Sequence, residues 1–186
     1  MTASTVEYDG ELPPLLDRQL FFGDPQYSGS QISPNGEMLS FRQPYKDVMN
    51  IWVKGIDEPF ADARPVTADT TRPVSGYFWS HDSERILYVQ DKGGNENFHV
   101  YAVDLDAENN EMGVPEARNL TPYDGARAQI ASVPEEQPTT IYVGLNDRSP
   151  QNFDLYKIDI ETGERERIFK NDQGIGGYVF DLDGDL

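Results

Sequence analysis

His81 and His99 are the only histidines in the chain, so proton transfer by an imidazole at neutral pH would have to run through one of them. A hydrolytic serine needs such a base beside it and an acid behind the base. It often sits in a Gly-x-Ser-x-Gly turn. No such pentapeptide occurs; Tyr27-Ser-Gly-Ser-Gln31 comes nearest, and Ser30 lacks the flanking glycines at the required spacing. His81 falls in a turn and His99 alternates into a strand beside Tyr101, so both read as structural. Asp181-Leu-Asp-Gly-Asp185 offers carboxylates to calcium. Its glycine is misplaced for an EF-hand, and the 186 residues stop before the loop's twelfth position. A hairpin turn accounts for it better. Gly174-Ile-Gly-Gly177 lacks the Lys-Ser/Thr ending of a phosphate loop. Lys92-Gly-Gly-Asn-Glu-Asn97 reads as a connection between two strands. Asn119-Leu-Thr121 matches a glycosylation sequon only formally. With no cysteine, thiolate chemistry and disulfides are excluded. The sequence therefore assigns no catalytic, cofactor-binding or metal-ligating residue.

Charge narrows the possible partners. The 33 acidic and 15 basic residues give a net charge of −18. Such a surface repels phosphate backbones and anionic membranes, so neither nucleic acid nor membrane is an expected partner. No apolar run approaches the roughly 18 residues that span a bilayer. Residues 1–9 lack the basic start and apolar core of a secretory signal. Together with the absent cysteines, this points to the cytoplasm. Aromatic residues make up 11% of the chain, enough for a packed core rather than a disordered segment.

The elements that would position any site repeat. Ser33-Pro-Asn-Gly36 leads into Met38–Phe41 and then Asn50-Ile-Trp-Val53. Trp79-Ser-His-Asp-Ser83 leads into Arg85–Val89 and then Phe98–Asp104. Thr140–Val143 is followed by Phe153–Asp159, and Tyr178-Val-Phe-Asp-Leu-Asp-Gly184 opens the pattern again. Trp52, Tyr101 and Tyr156 align at spacings of 49 and 55. A period near fifty residues, made of paired strands, is the signature of a β-propeller. Asn35-Gly36 supplies the positive φ of a tight hairpin. The expectation is an all-β fold: about three four-stranded blades and the start of a fourth. Residues 1–12 form a flexible leader, 13–23 a short helix begun by Pro13-Pro14 and stopped by Gly23, and 24–186 the partial propeller. The blades lie near 27–67, 75–121 and 127–170, with the next starting at 177–186. In the second blade Phe98, Val100, Ala102 and Asp104 share one face, and His99, Tyr101, Val103 and Leu105 the other. Both faces carry apolar groups, as in a sheet sandwiched between neighbours.

Ser33-Pro-Asn-Gly36 followed by Asn50-Ile-Trp-Val53 resembles the TolB-type propeller repeat. The longer series sharpens the likeness: Phe22–Pro34, Gly76–Trp79, Tyr88–Tyr101, Asn119–Pro122 and Ala126–Ile130. From about Leu15 onward the chain resembles the N-terminal propeller of prolyl oligopeptidase family (S9) serine peptidases, in the acylaminoacyl-peptidase or dipeptidyl-aminopeptidase branch. The resemblance implies a substrate-size filter over a C-terminal α/β-hydrolase domain that cleaves short peptides. That domain is expected to be missing here, so the chain alone is expected to be inactive. A stand-alone TolB-like interaction scaffold is the alternative. Uncovered blade edges imply self-association of an isolated fragment.

Overall fold

The computed structural model describes residues 10, 15–23 and 25–181. Twelve strands run in chain order. Four form the first sheet: β1 (Ser28–Ile32), β2 (Met38–Tyr45), β3 (Val48–Gly55) and β4 (Arg64–Pro65). The second holds β5 (Tyr77–Trp79), β6 (Arg85–Gln90), β7 (His99–Asp104) and β8 (Ala117–Asn119). The third holds β9 (Ala128–Ser132), β10 (Thr140–Ser149), β11 (Asn152–Asp159) and β12 (Arg165–Phe169). Each sheet is an antiparallel meander paired in sequence order. Three consecutive four-stranded meanders are the blades of a partial propeller.

Alternation along β7 explains how the blades stack. Val100 and Ala102 join Leu87, Ile141, Val143 and Ile158 in a core between the second and third sheets. Val103 and its neighbour Tyr101 face the other way, into a core with Ile51, Val53, Trp79 and Ile86 between the first and second sheets. The middle sheet is thus apolar on both sides because both sides are covered. Polar bonds pin the first sheet pair: Trp79 Nε1 donates to Ser40 Oγ at 2.8 Å, Tyr77 Oη to Gly29 O at 2.7 Å, and Asn35 N–H to Ser83 Oγ at 3.0 Å.

The expected start of a fourth unit is partly described. Residues 170–181 form no strand, and 182–186 lie outside the described residues. Even so, Phe180 packs on Tyr142 of β10 with centroids 4.7 Å apart, as Trp79 sits on Ser40 of β2. Tyr178 Oη donates to Phe153 O at 2.7 Å. The Tyr-x-aromatic pairs Tyr77/Trp79 and Tyr178/Phe180 therefore dock on the first and third blades, respectively.

The helix is shorter than its pattern suggests. Of the expected span only α1 (Gln19–Phe22) is helical, and just ahead of it Asp17 Oδ1 accepts Gln19 N–H at 2.9 Å. Residues 11–14, including the two prolines, and all of the expected leader except Gly10 lie outside the described residues. Leu15, Leu16, Leu20, Phe21 and Phe22 are all exposed. Without a surface to bury that stripe, a helix of this length gains too little to propagate. Among the described residues, no helix is long and apolar enough to cross a membrane.

The two-residue hairpin between β2 and β3 departs from its sequence cue. It uses Lys46 and Asp47, both at positive φ (48° and 67°), without the glycine such a turn prefers. Tyr45 and Val48 pair directly across it.

Candidate functional site

Alternating strand directions send the β2–β3, β6–β7 and β10–β11 loops to one edge of the blades. The segments that link one blade to the next arrive at the same edge. There a repeated clamp holds each link. In the first blade Asn50 Nδ2 donates to Asp69 O, and Asp69 N–H donates to Asn50 Oδ1, both at 2.8 Å. In the second, His99 Nδ1–H donates to Thr121 O at 2.5 Å. In the third, Asn171 N–H donates to Asp154 Oδ1 at 2.9 Å. Asn50, His99 and Asp154 each lie two residues before the aligned aromatics Trp52, Tyr101 and Tyr156. A threonine hydroxyl adds a second bond in two blades: Ile51 N–H reaches Thr67 Oγ1 at 2.9 Å, and Val100 N–H reaches Thr121 Oγ1 at 3.0 Å. Three side-chain types do one job because the link needs only a polar group at that height. Aligning the strands would have exposed the position; identity could not.

The third clamp is the most charged. Asp154 is fully buried. Arg148 Nε and Nη2 donate to its two oxygens at 3.0 and 2.9 Å, and Arg148 Nη2 also reaches Asn171 O at 3.1 Å. These bonds, Arg148 first, hold the Asp154 carboxyl below the usual carboxylate range. A comparable anchor closes the 91–97 loop. Asp91 Oδ2 accepts Glu96 N–H at 3.0 Å, and Oδ1 accepts Arg72 Nη2 at 2.8 Å. The Glu96 amide and then Arg72 lower its pKa. Glu96 takes a positive φ of 59° to complete that loop, so Lys92–Asn97 is an ordered connection.

The residues singled out from the sequence fall apart as a catalytic set. His81 Nε2 donates to Val133 O at 3.2 Å and joins the second blade to the third. His99 is committed to its clamp; Thr121 Oγ1 lies 3.5 Å from its Nδ1, but that oxygen already accepts Val100 N–H. Among the described residues no serine hydroxyl is hydrogen-bonded to a histidine. Nor does any cluster of three His, Asp or Glu fit a metal among them. Gly174–Gly177 lines a cavity of about 490 Å³ with Gln129, Ile130, Phe153 and Tyr178, on the free side of the third blade. Asn171 fastens that loop through Nδ2 to Ile175 O and through Oδ1 from Ile175 N–H, at 2.8 and 2.9 Å. The Asp181–Asp185 run lies outside the described residues beyond Asp181. What the arrangement offers chemically among the described residues is an acidic, polar rim whose side chains are engaged in holding the links.

No protein-family model matches the chain. It is 43% identical over 169 residues to dipeptidyl aminopeptidase BIII of Pseudoxanthomonas mexicana, an alignment covering 91% of this chain and 23% of that protein. The chain thus spans about a quarter of the length of this relative. Two solved structures share its fold. Prolyl oligopeptidase B from Galerina marginata matches with a TM-score of 0.54 and 14% identity, over 80% of this chain and 21% of that one. The β-propeller domain of the Trilobed protease from Pyrococcus furiosus, described as an open velcro topology, matches with 0.52 and 20%, over 78% and 44%. The blade meanders, the interlocked cores between them and this shared sequence lead to one conclusion: the chain belongs to the prolyl oligopeptidase (S9) family, in its dipeptidyl-aminopeptidase-like branch, and forms part of that family's β-propeller.

Proposed function

We propose that these blades form part of a wall that limits which substrates reach a serine peptidase site carried by sequence beyond the 186 residues. Short peptides are the substrates, and an α/β-hydrolase domain is the partner within the same protein. The observation that carries this is the 43% identity to a dipeptidyl aminopeptidase across nearly the whole chain. The clamps support it physically. A filter must hold its rim rigid, and every blade-to-blade link here is tied by a side chain from strand three. Excluding bulk water also protects acyl-transfer chemistry.

Two measurements test the assignment. The 186-residue chain is expected to stay unlabelled by a fluorophosphonate probe; labelling of a serine in it would refute the division of labour. The enzyme containing these blades is expected to cut dipeptidyl anilides while sparing folded proteins. Comparable kcat/KM on both would remove the filter.

An isolated set of blades should also associate. Phe41 faces away from the second sheet, beneath Tyr27 and Phe60 at centroid distances of 5.4 and 5.2 Å. Tyr27, Phe60 and Ile32 are exposed there. A blade face built for a neighbour and left open promotes self-contact. Sedimentation of the 186-residue chain is expected to show a mass that rises with concentration; a concentration-independent monomer contradicts this.

A further inference from the structure

At the rim between the first and second blades lies a crevice of about 570 Å³. That falls within the 300–1,000 Å³ usual for small-ligand sites. Its apolar wall is Met112, Pro115 and Ala117, with Val66 and Val114 buried behind them. Tyr88 lines it with only 7% of its surface exposed and its ring stacked on Tyr101 at 5.1 Å. The Tyr88 hydroxyl makes no hydrogen bond among the described residues, and unlike the ring it is not sealed from solvent, so it is open to a ligand in the crevice. Burial, with Asp69 and Glu116 nearby, pushes its pKa upward, so it stays protonated and can both donate and accept. Asp69 is already occupied: Oδ1 accepts the Thr71 and Arg72 N–H groups, and Oδ2 accepts Gln90 Nε2. Glu116 makes no hydrogen bond or ion pair among the described residues, and it is exposed at the lip.

The lip itself is one-signed. Residues 105–117 contain Asp106, Glu108, Glu111 and Glu116 and no lysine or arginine. The segment is held in place by the Asn109–Pro115 bridge and by Tyr45 Oη donating to Met112 O at 3.4 Å. Lys92 is the single cation lining the crevice. It would direct a cationic ligand toward the Glu116 side and could itself meet a carbonyl.

We propose that this crevice binds the cationic side chain of a peptide, lysine or arginine, with the methylenes against Met112 and Ala117 and the charged head between Glu116 and the Tyr88 hydroxyl. The site is separate from the peptidase assignment and stands whether or not that assignment holds. Isothermal titration of the 186-residue chain with Nα-acetyl-arginine amide tests it, against the neutral isostere Nα-acetyl-citrulline amide. Saturable binding of the arginine compound is expected, with the citrulline compound at least about tenfold weaker, since a bond to a charged group outweighs a neutral one by roughly that factor. Glu116→Gln changes an exposed carboxylate and keeps the fold, and Tyr88→Phe keeps the ring. Each is expected to weaken arginine-amide binding about tenfold. Equal binding of the citrulline compound, no saturation, or unchanged affinity in both variants overturns the proposal. Tighter binding of free arginine than of its acetyl amide overturns the peptide assignment.

Discussion

Replacing Trp79 with alanine is expected to remove about 3–5 kcal/mol of unfolding free energy, the usual cost of emptying a large aromatic site in a core. Trp79 is 6% exposed and packs with Ile51, Val53 and Val66 of the first blade. Its indole N–H is the donor to Ser40 Oγ, and Ser40 is fully buried. The substitution opens a cavity and takes away the donor to that hydroxyl in one step, while the hydroxyl's own bond to Gln31 O remains. A domain of ordinary stability has about 5–15 kcal/mol in hand, so the loss reaches a large fraction of the whole. Ser40→Ala separates the two contributions. It leaves the indole in place, removes the hydroxyl's bonds to the indole N–H and to Gln31 O, and is expected to cost about 1–3 kcal/mol, because the indole N–H then stays buried without an acceptor. The second tryptophan, Trp52, remains as the fluorescent reporter in a urea titration. A cost below about 1 kcal/mol for Trp79→Ala, the level of an ordinary point substitution, would mean that the first two blades do not interlock as described.

Asp154→Asn is expected to cost about 1–3 kcal/mol at pH 7 and to change how the fold responds to acid. The native carboxylate is fully buried and accepts from Arg148 twice and from Asn171 N–H. An amide presents two donors to these donors, so at least one bond is lost and its partner left short. The sign of the pH effect follows from the lowered carboxyl pKa. A carboxylate depressed in the folded state stabilises the fold fully above its unfolded value of about 3.9 and loses that contribution as pH falls through the folded value. Native stability is therefore expected to fall steeply as pH drops below about 4, and the Asn variant, with nothing to protonate at 154, should fall less over the same interval. Denaturation midpoints at a series of acidic pH values decide it. Parallel curves for the two proteins would show that Asp154 is not the group that matters.

The clamp shows where sequence reading stopped. The aromatic alignment of Trp52, Tyr101 and Tyr156 was legible because an aromatic ring recurs at each blade's third strand. The residues two places earlier, Asn50, His99 and Asp154, share no chemistry. They share only a height in the sheet, which puts a polar atom opposite the link leaving strand four. One short helix was legible, but its length was not. Its stripe from Leu15 to Phe22 was readable, but an apolar stripe predicts a helix only if something buries it, and these side chains are exposed. Likewise Lys46-Asp47 turns a hairpin without Asn or Gly. The eight-residue strands β2 and β3 that it joins fix its register and override the local preference.

Residue order alone determined the all-β class, the fifty-residue period, the blade pairing and the absence of a nucleophile elbow, because alternation and turn chemistry act over a few neighbours. Tertiary structure alone decided which polar groups the clamps bury and where Tyr88 is left without a partner beside Glu116. Those outcomes depend on segments roughly 20 or more positions apart meeting at one rim, and no local pattern encodes such a meeting.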